Sequence, residues 1–154
     1  MPVRRQSGRW QLKKIARSNI AILNISNLSL PNRWTSQCLQ LIKRALKQHN
    51  LTQYEISVAL VKPATIRELN QSYRRNHQVT DVLSFIYDKT AKQINGEIVI
   101  CLSQALKQAK RKKHNLAREL NILVVHGTLH LLGYDHKTVK ERRLMRQQET
   151  ERIP

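Results

Sequence analysis

Apolar and polar positions along the chain follow two rhythms, one of period two and one of period 3.6, and the switches between them divide it into elements. Asn19 to Ser26 reads as a first strand, apolar and partly β-branched, with Pro31 closing the connection behind it. Between Thr35 and His49, the residues Leu39, Ile42, Ala45, Leu46 and His49 recur at helical spacing while Lys43, Arg44 and Lys47 face away, which predicts a surface helix laid on a sheet. Glu55 to Lys62 predicts a second strand with branched Ile56, Val58 and Val61, stopped by Pro63. Thr65, followed three residues later by Glu68, has the form of a capping box. The helix it would open has Ile66, Leu69 and Tyr73 on its inner side and ends in Arg74 and Arg75, where cations suit the helix dipole.

Asp81 to Tyr87 predicts a third strand, Asp88 to Asn95 a turn, and the stretch from Gly96 through Leu102 a fourth strand. Their short separation makes the last two strands a hairpin, so the sheet is expected to be mixed. Ser103 is the expected N-cap of a helix running through Leu106 and Ala109 into Lys110, Arg111, Lys112 and Lys113. Leu116 to Leu132 is apolar almost all round and therefore belongs at the centre of the fold. Gly127 inside that helix costs about 1 kcal/mol relative to Ala, which is tolerable where something approaches the backbone closely. A last, highly charged helix spans Lys137 to Ile153, anchored by few apolar residues, Val139 and Met145 among them, with an end expected to fray.

Composition changes this picture in one respect. The 154 residues make one domain with a sizeable core, and an apolar content of 40% is ordinary. The net charge of +18, from 28 Lys and Arg against 10 Asp and Glu, is not ordinary and implies a polyanionic partner, nucleic acid first of all. The longest apolar run falls short of the roughly 18 residues that cross a bilayer, so no membrane span is expected. Cys38 and Cys101 each lie in an apolar or amphipathic segment and read as small buried hydrophobes of a reducing compartment, which places the protein in the cytoplasm. The first 26 residues hold Arg4, Arg5, Arg9, Lys13, Lys14 and Arg17 without one acid. Residues 1–18 are expected to form a solvated basic arm, with the folded domain at 19–154. The same composition also fits an organellar transit segment.

The chemistry concentrates in His126-Gly-Thr-Leu-His130-Leu-Leu-Gly133-Tyr-Asp135-His136. On a helix, four residues put His126 and His130 on one face a turn apart, and a turn at Gly133 returns His136 as a third donor. A single histidine in such an apolar run is ordinarily a hydrogen-bonded core residue. Three of the chain's six histidines within this stretch point instead to a shared metal, because burying several imidazoles without one costs several kcal/mol. The spacing matches that of metzincin-type proteases, but Gly127 stands where such a protease carries its glutamate base. Metal ligands together with a strongly basic surface direct the reading to phosphodiester hydrolysis. Asp135 is either an outer partner that orients an imidazole or a turn residue. Glu119, on the same helix two turns before His126, is read as structural, with a role as base the alternative. Lys107 and the run Lys110, Arg111, Lys112 and Lys113 divide between a phosphate track and a solvated helix face.

These residues carry a family resemblance. HGTLHLLGYDH, His126 to His136, resembles the signature of the YbeY-type endoribonucleases; LNQSYRRNHQVTDVLSF, Leu69 to Phe85, resembles that family's second hallmark, and NGEIVIC, Asn95 to Cys101, is similar to its third. The resemblance runs from about Ile56 to Glu149. It implies an α+β fold, a mixed four-stranded sheet with about five helices and a zincin-like metal helix. It further implies a single-strand-specific, zinc-dependent endoribonuclease that matures ribosomal RNA at the small-subunit 3′ end and serves ribosome quality control. His126, His130 and His136 would hold one zinc, Arg74 would be the arginine of the family's Tyr-Arg motif, and Arg75 stays undecided between RNA contact and solvent. Implied partners are single-stranded and ribosomal RNA, the small ribosomal subunit and the GTPase Era. The sequence departs from the family in Arg75-Asn76-His77-Gln78-Val79, where Lys-Asp and then Pro are commoner, and at Ile86, where Pro is common. A rival of another class is a noncatalytic ribosome-assembly factor with a structural zinc and an RNA-binding surface.

Overall fold

The computed structural model describes the backbone of residues 5–6, 9–10 and 18–153, and side chains from 20 to 153. The expected basic arm at 1–18 lies largely outside the described residues; within it, β1 (Arg5–Gln6) pairs antiparallel with β2 (Arg9–Trp10). The remaining elements are β3 (Ser18–Asn24), α1 (Trp34–Gln48), β4 (Gln53–Val61), α2 (Pro63–Arg74), β5 (Val82–Lys89), β6 (Gln93–Cys101), α3 (Leu102–Arg111), α4 (Leu116–Leu131) and α5 (Val139–Arg152). Strands β3, β4, β6 and β5 form a four-stranded sheet in that order, parallel from β3 to β6, with β5 antiparallel to β6 at one edge. The expected α+β domain, mixed sheet and hairpin are all present.

Both faces of the central strands are buried, which explains their unbroken apolar runs. Val58 and Leu60 of β4 and Ile98 and Ile100 of β6 face Trp34, Cys38, Ile42 and Leu46 of α1 and Leu120, Leu123 and Val124 of α4. The alternate residues Ala59, Val61, Val99 and Cys101 face Ile66 and Leu69 of α2. Trp34 is wholly buried, and its indole N–H donates to Asn121 Oδ1 at 3.0 Å, fastening α1 to α4. Cys38 and Cys101 are buried and unbridged as expected, and burial pushes the Cys38 thiol up to about 12. No helix among the described residues is long and apolar enough to cross a membrane.

The structure departs from the periodicity at several element ends. The Thr65–Glu68 capping box does not form, because α2 already begins at Pro63 and Thr65 is inside its first turn. Ser103 is not an N-cap either: β6 runs into α3 with Cys101 at the junction. Tyr73 is half exposed and stacks on Phe85 at 4.8 Å between ring centroids. The hairpin is longer than expected, its strands reaching Lys89 and Gln93. Helix α5 extends to Arg152 behind a capping box of Thr138 and Glu141, with Ile153 packed against Met145 and its neighbours.

Candidate metal centre

Helix α4 delivers two of the three histidines. Asn115 opens it by accepting the Arg118 N–H at 2.8 Å, and its flanks sit between the sheet and α1. That burial fixes the face on which His126 and His130 emerge, half-buried, with ring centroids 4.7 Å apart. Gly133, at φ +101°, reverses the chain after α4 in a conformation that favours glycine. Lys89 donates to Leu132 O at 2.7 Å and closes the helix end. The following loop brings His136 to 5.1 Å from His130, centroid to centroid. One ligand atom from each of the three rings lies within 4.8 Å of the others, so the cluster is capable of holding a metal ion.

The donor chemistry fits such an ion. His130 is pushed down to about 4, first by burial and then by His126, His136 and Arg74, against a smaller upward pull from Asp135. Its imidazole is therefore neutral at neutral pH, the state a metal ligand requires. His126 and His130 turn their Nε2 atoms toward each other at 3.1 Å. Three imidazoles without a carboxylate among them suit zinc or a similar borderline ion better than magnesium or calcium.

A cleft of about 250 Å³ opens onto the cluster, lined by Arg74, Thr80, Asp81, Val82, Ser84, His126, His130 and His136. Arg74, from the last turn of α2, thus faces the three histidines across fifty residues of sequence. Asp81 forms part of the wall: it accepts from the Val82 N–H at 2.8 Å and from Gln108 Nε2 at 2.9 Å, tying α3 to the cleft. Ser84 donates to Gly127 O at 3.1 Å.

The other residues singled out in the sequence divide. Glu119 is fully buried and accepts from Lys112 Nζ at 2.8 Å, with His114 Nε2 at 2.5 Å on its other oxygen, so it braces the α3–α4 junction. Lys112 is thereby paired, though it stays exposed like Lys107, Lys110, Arg111 and Lys113. Asp135 accepts its neighbour's His136 N–H at 2.7 Å and pairs with Lys137 at 3.2 Å. The first of these contacts is the main cause holding its carboxyl below the usual range. It therefore shapes the ligand loop. Arg75 caps α2 in the left-handed region at φ 54°, exposed.

Two features went unread in the sequence. Glu149 of α5 meets His126 Nδ1 at 2.6 Å. Arg142, Arg143 and Arg146 of the same helix line a groove of about 400 Å³ with Val139, Gln147 and Thr150. Helical spacing of Arg142 and Arg146 was the signal available for the groove; the Glu149 contact depends on how α5 docks on α4 and had no signal in the sequence.

A family model described as Endoribonuclease YbeY matches residues 22–153. A protein of Finegoldia magna named Endoribonuclease YbeY is 43% identical over 136 residues, covering 83% of this chain and 89% of that one. A Staphylococcus aureus protein of the same name is 37% identical over 123 residues, 73% of this chain and 79% of its own. Among solved structures, the solution structure of a Thermotoga maritima protein superposes with a TM-score of 0.62 at 27% identity, covering 88% and 87% of the two chains.

Proposed function

The chain belongs to the YbeY family of endoribonucleases, and from that premise we propose that it is a metal-dependent endoribonuclease that cuts single-stranded RNA. The observation that carries this reading is the one cleft shared by Arg74 and the three histidines. In it His126, His130 and His136 hold one Zn²⁺, and Arg74 is the catalytic side chain. Lewis acidity and an acidified water are what such an ion supplies when bound. The Arg74 guanidinium, planar and permanently charged, binds the phosphate and stabilises the charge that gathers on its oxygens as the bond breaks. Thr80, Val82 and Ser84 complete the wall of the cleft beside the histidines and Arg74.

In ribosomal RNA maturation the substrate is the small-subunit RNA near its 3′ end, and the resemblance extends the role to ribosome quality control in the cytoplasm, with the small subunit and the GTPase Era as partners. Arg75, Lys107, Lys110, Arg111 and Lys113, with the basic arm at 1–18, contribute phosphate contacts around the cleft, while Lys112 contributes mainly to the Glu119 pair. The position after His126, where a zinc protease carries its glutamate, leaves no space for a side chain, since a Cβ on Gly127 would lie 2.7 Å from Ile98 Cγ2. Peptide hydrolysis by that route is therefore disfavoured.

A metal-defined cleavage assay with mapped product ends tests the proposal. Arg74→Ala is expected to lose cleavage of single-stranded RNA by about 100-fold or more while keeping its zinc, as loss of a group aimed at transition-state charge does. His130→Ala is expected to lose both. Cleavage unchanged in both variants would defeat the enzyme reading and leave an RNA-binding assembly factor with a structural zinc.

A further inference from the structure

Helix α5 has a place in the site that neither its charge nor its position at the end of the domain announces. It docks on α4 through Met145, which joins Leu41, Val125 and Leu129 in a buried cluster. Glu149 is one turn further along on the same side, and that docking carries its carboxylate to His126. Among the described residues it is the carboxylate that meets a ring nitrogen of the three-histidine cluster at hydrogen-bond distance: Asp135 stands 3.9 Å from His136 Nδ1, and Glu119 is held by Lys112 and His114.

We propose that Glu149 is a positioning residue whose carboxylate accepts the Nδ1–H of His126 and so fixes the ring with its Nε2 lone pair facing His130 and the cleft. The inference rests on the metal reading given above and adds to it the group that sets one ligand's tautomer. A neutral imidazole has one N–H and one acceptor nitrogen, and the partner of the first decides which is which. With Nδ1 committed to Glu149 at 2.6 Å, Nε2 is the free lone pair, and Nε2 is the atom 3.1 Å from its counterpart on His130. The carboxylate also raises the basicity of that nitrogen and restricts rotation of a ring that is only partly enclosed, its side chain 30% exposed. Without Glu149 the ring would divide between two tautomers and sample other orientations, one of them with its N–H aimed at the metal position.

The test uses the full chain and Zn²⁺ alone. Glu149→Ala is expected to weaken Zn²⁺ binding by about 10- to 100-fold in competition with a chelating dye, the usual effect of removing an outer partner of a ligand. Glu149→Gln, which keeps an acceptor oxygen but not the charge, is expected to fall between it and wild type. Nitrogen-15 chemical shifts of His126 in the metal-free proteins give a readout that loosened packing alone would not move. The Nδ1–H form should dominate in wild type, persist in Glu149→Gln and give way to a mixture in Glu149→Ala. Variants that bind Zn²⁺ as tightly as wild type, with the His126 tautomer unchanged, overturn the proposal and leave the metal reading intact. A wild-type chain that takes up no Zn²⁺ ends the metal reading, and the tautomer comparison then decides for or against Glu149 by itself.

Discussion

At Gly127 the helix backbone, not a side chain, makes the contact: Ser84 donates to its carbonyl, and a Cβ would meet Ile98 Cγ2 at 2.7 Å and Ser84 Oγ at 3.1 Å. The same closeness that removes the protease glutamate holds His126 and His130 at a fixed height over the edge of the sheet. Ala is a better helix former than Gly by about 1 kcal/mol, yet here that gain meets an overpacked site in which β-branched Ile98 has little freedom to yield. Gly127→Ala is therefore expected to lower stability by about 1–2 kcal/mol rather than raise it, read as an earlier midpoint in denaturant unfolding of the metal-free protein. A midpoint at or above wild type would mean that α4 separates readily from β5 and β6, and the argument for a closed position beside His126 would fall.

Among the elements, α5 links packing to chemistry most directly. Met145 is nearly fully buried against α1 and α4, whereas Val139 and Leu144 of the same helix are exposed, so one residue of α5 anchors it in the buried cluster with Leu41, Val125 and Leu129. Met145→Ala is expected to cost about 2–3 kcal/mol and to speed amide exchange across 139–152, weakening Zn²⁺ binding indirectly through Glu149. Unchanged exchange in α5 would show that the helix is held by its polar contacts instead. This element also marks where sequence reading stopped. The three-histidine cluster was legible because the spacing of His126 and His130 is a local property of one helix and Gly133 announces the return to His136. Glu149 was not, since its contact with His126 depends on how two helices dock, and nothing in a charged stretch says which glutamate faces inward. Capping patterns divided in the same way. Thr65–Glu68 and Thr138–Glu141 have the same form, but Pro63 starts α2 early and puts the first pair inside the helix, whereas the second opens α5. The strands were legible from their apolar runs; that both faces are covered, by α1 and α4 on one side and α2 on the other, became visible only with the sheet order.

For the molecule as a whole, the +18 charge acquires a geometry. Two basic helices touch the cleft through polar contacts, α3 by Gln108 on Asp81 and α5 by Glu149 on His126, and each carries its cations outward: Lys107, Lys110 and Arg111 on the first, Arg142, Arg143 and Arg146 on the second. Arg142 is partly engaged, donating to the carbonyls of His136 and Lys137. Where these cations contact RNA, each phosphate they neutralise releases counterions, with a salt slope near −0.7 per contact for a single strand. RNA affinity should therefore fall steeply between low and moderate salt. The double variant Arg143→Ala, Arg146→Ala should reduce the magnitude of the slope by about 1.4 if both arginines touch phosphate, while leaving zinc content untouched. A slope equal to wild type would remove α5 from the RNA path and leave α3 and the arm to supply it. A weak dependence in the wild-type chain would detach the charge from RNA binding altogether, and the cleft would then have to hold its substrate through Arg74 and the metal centre alone.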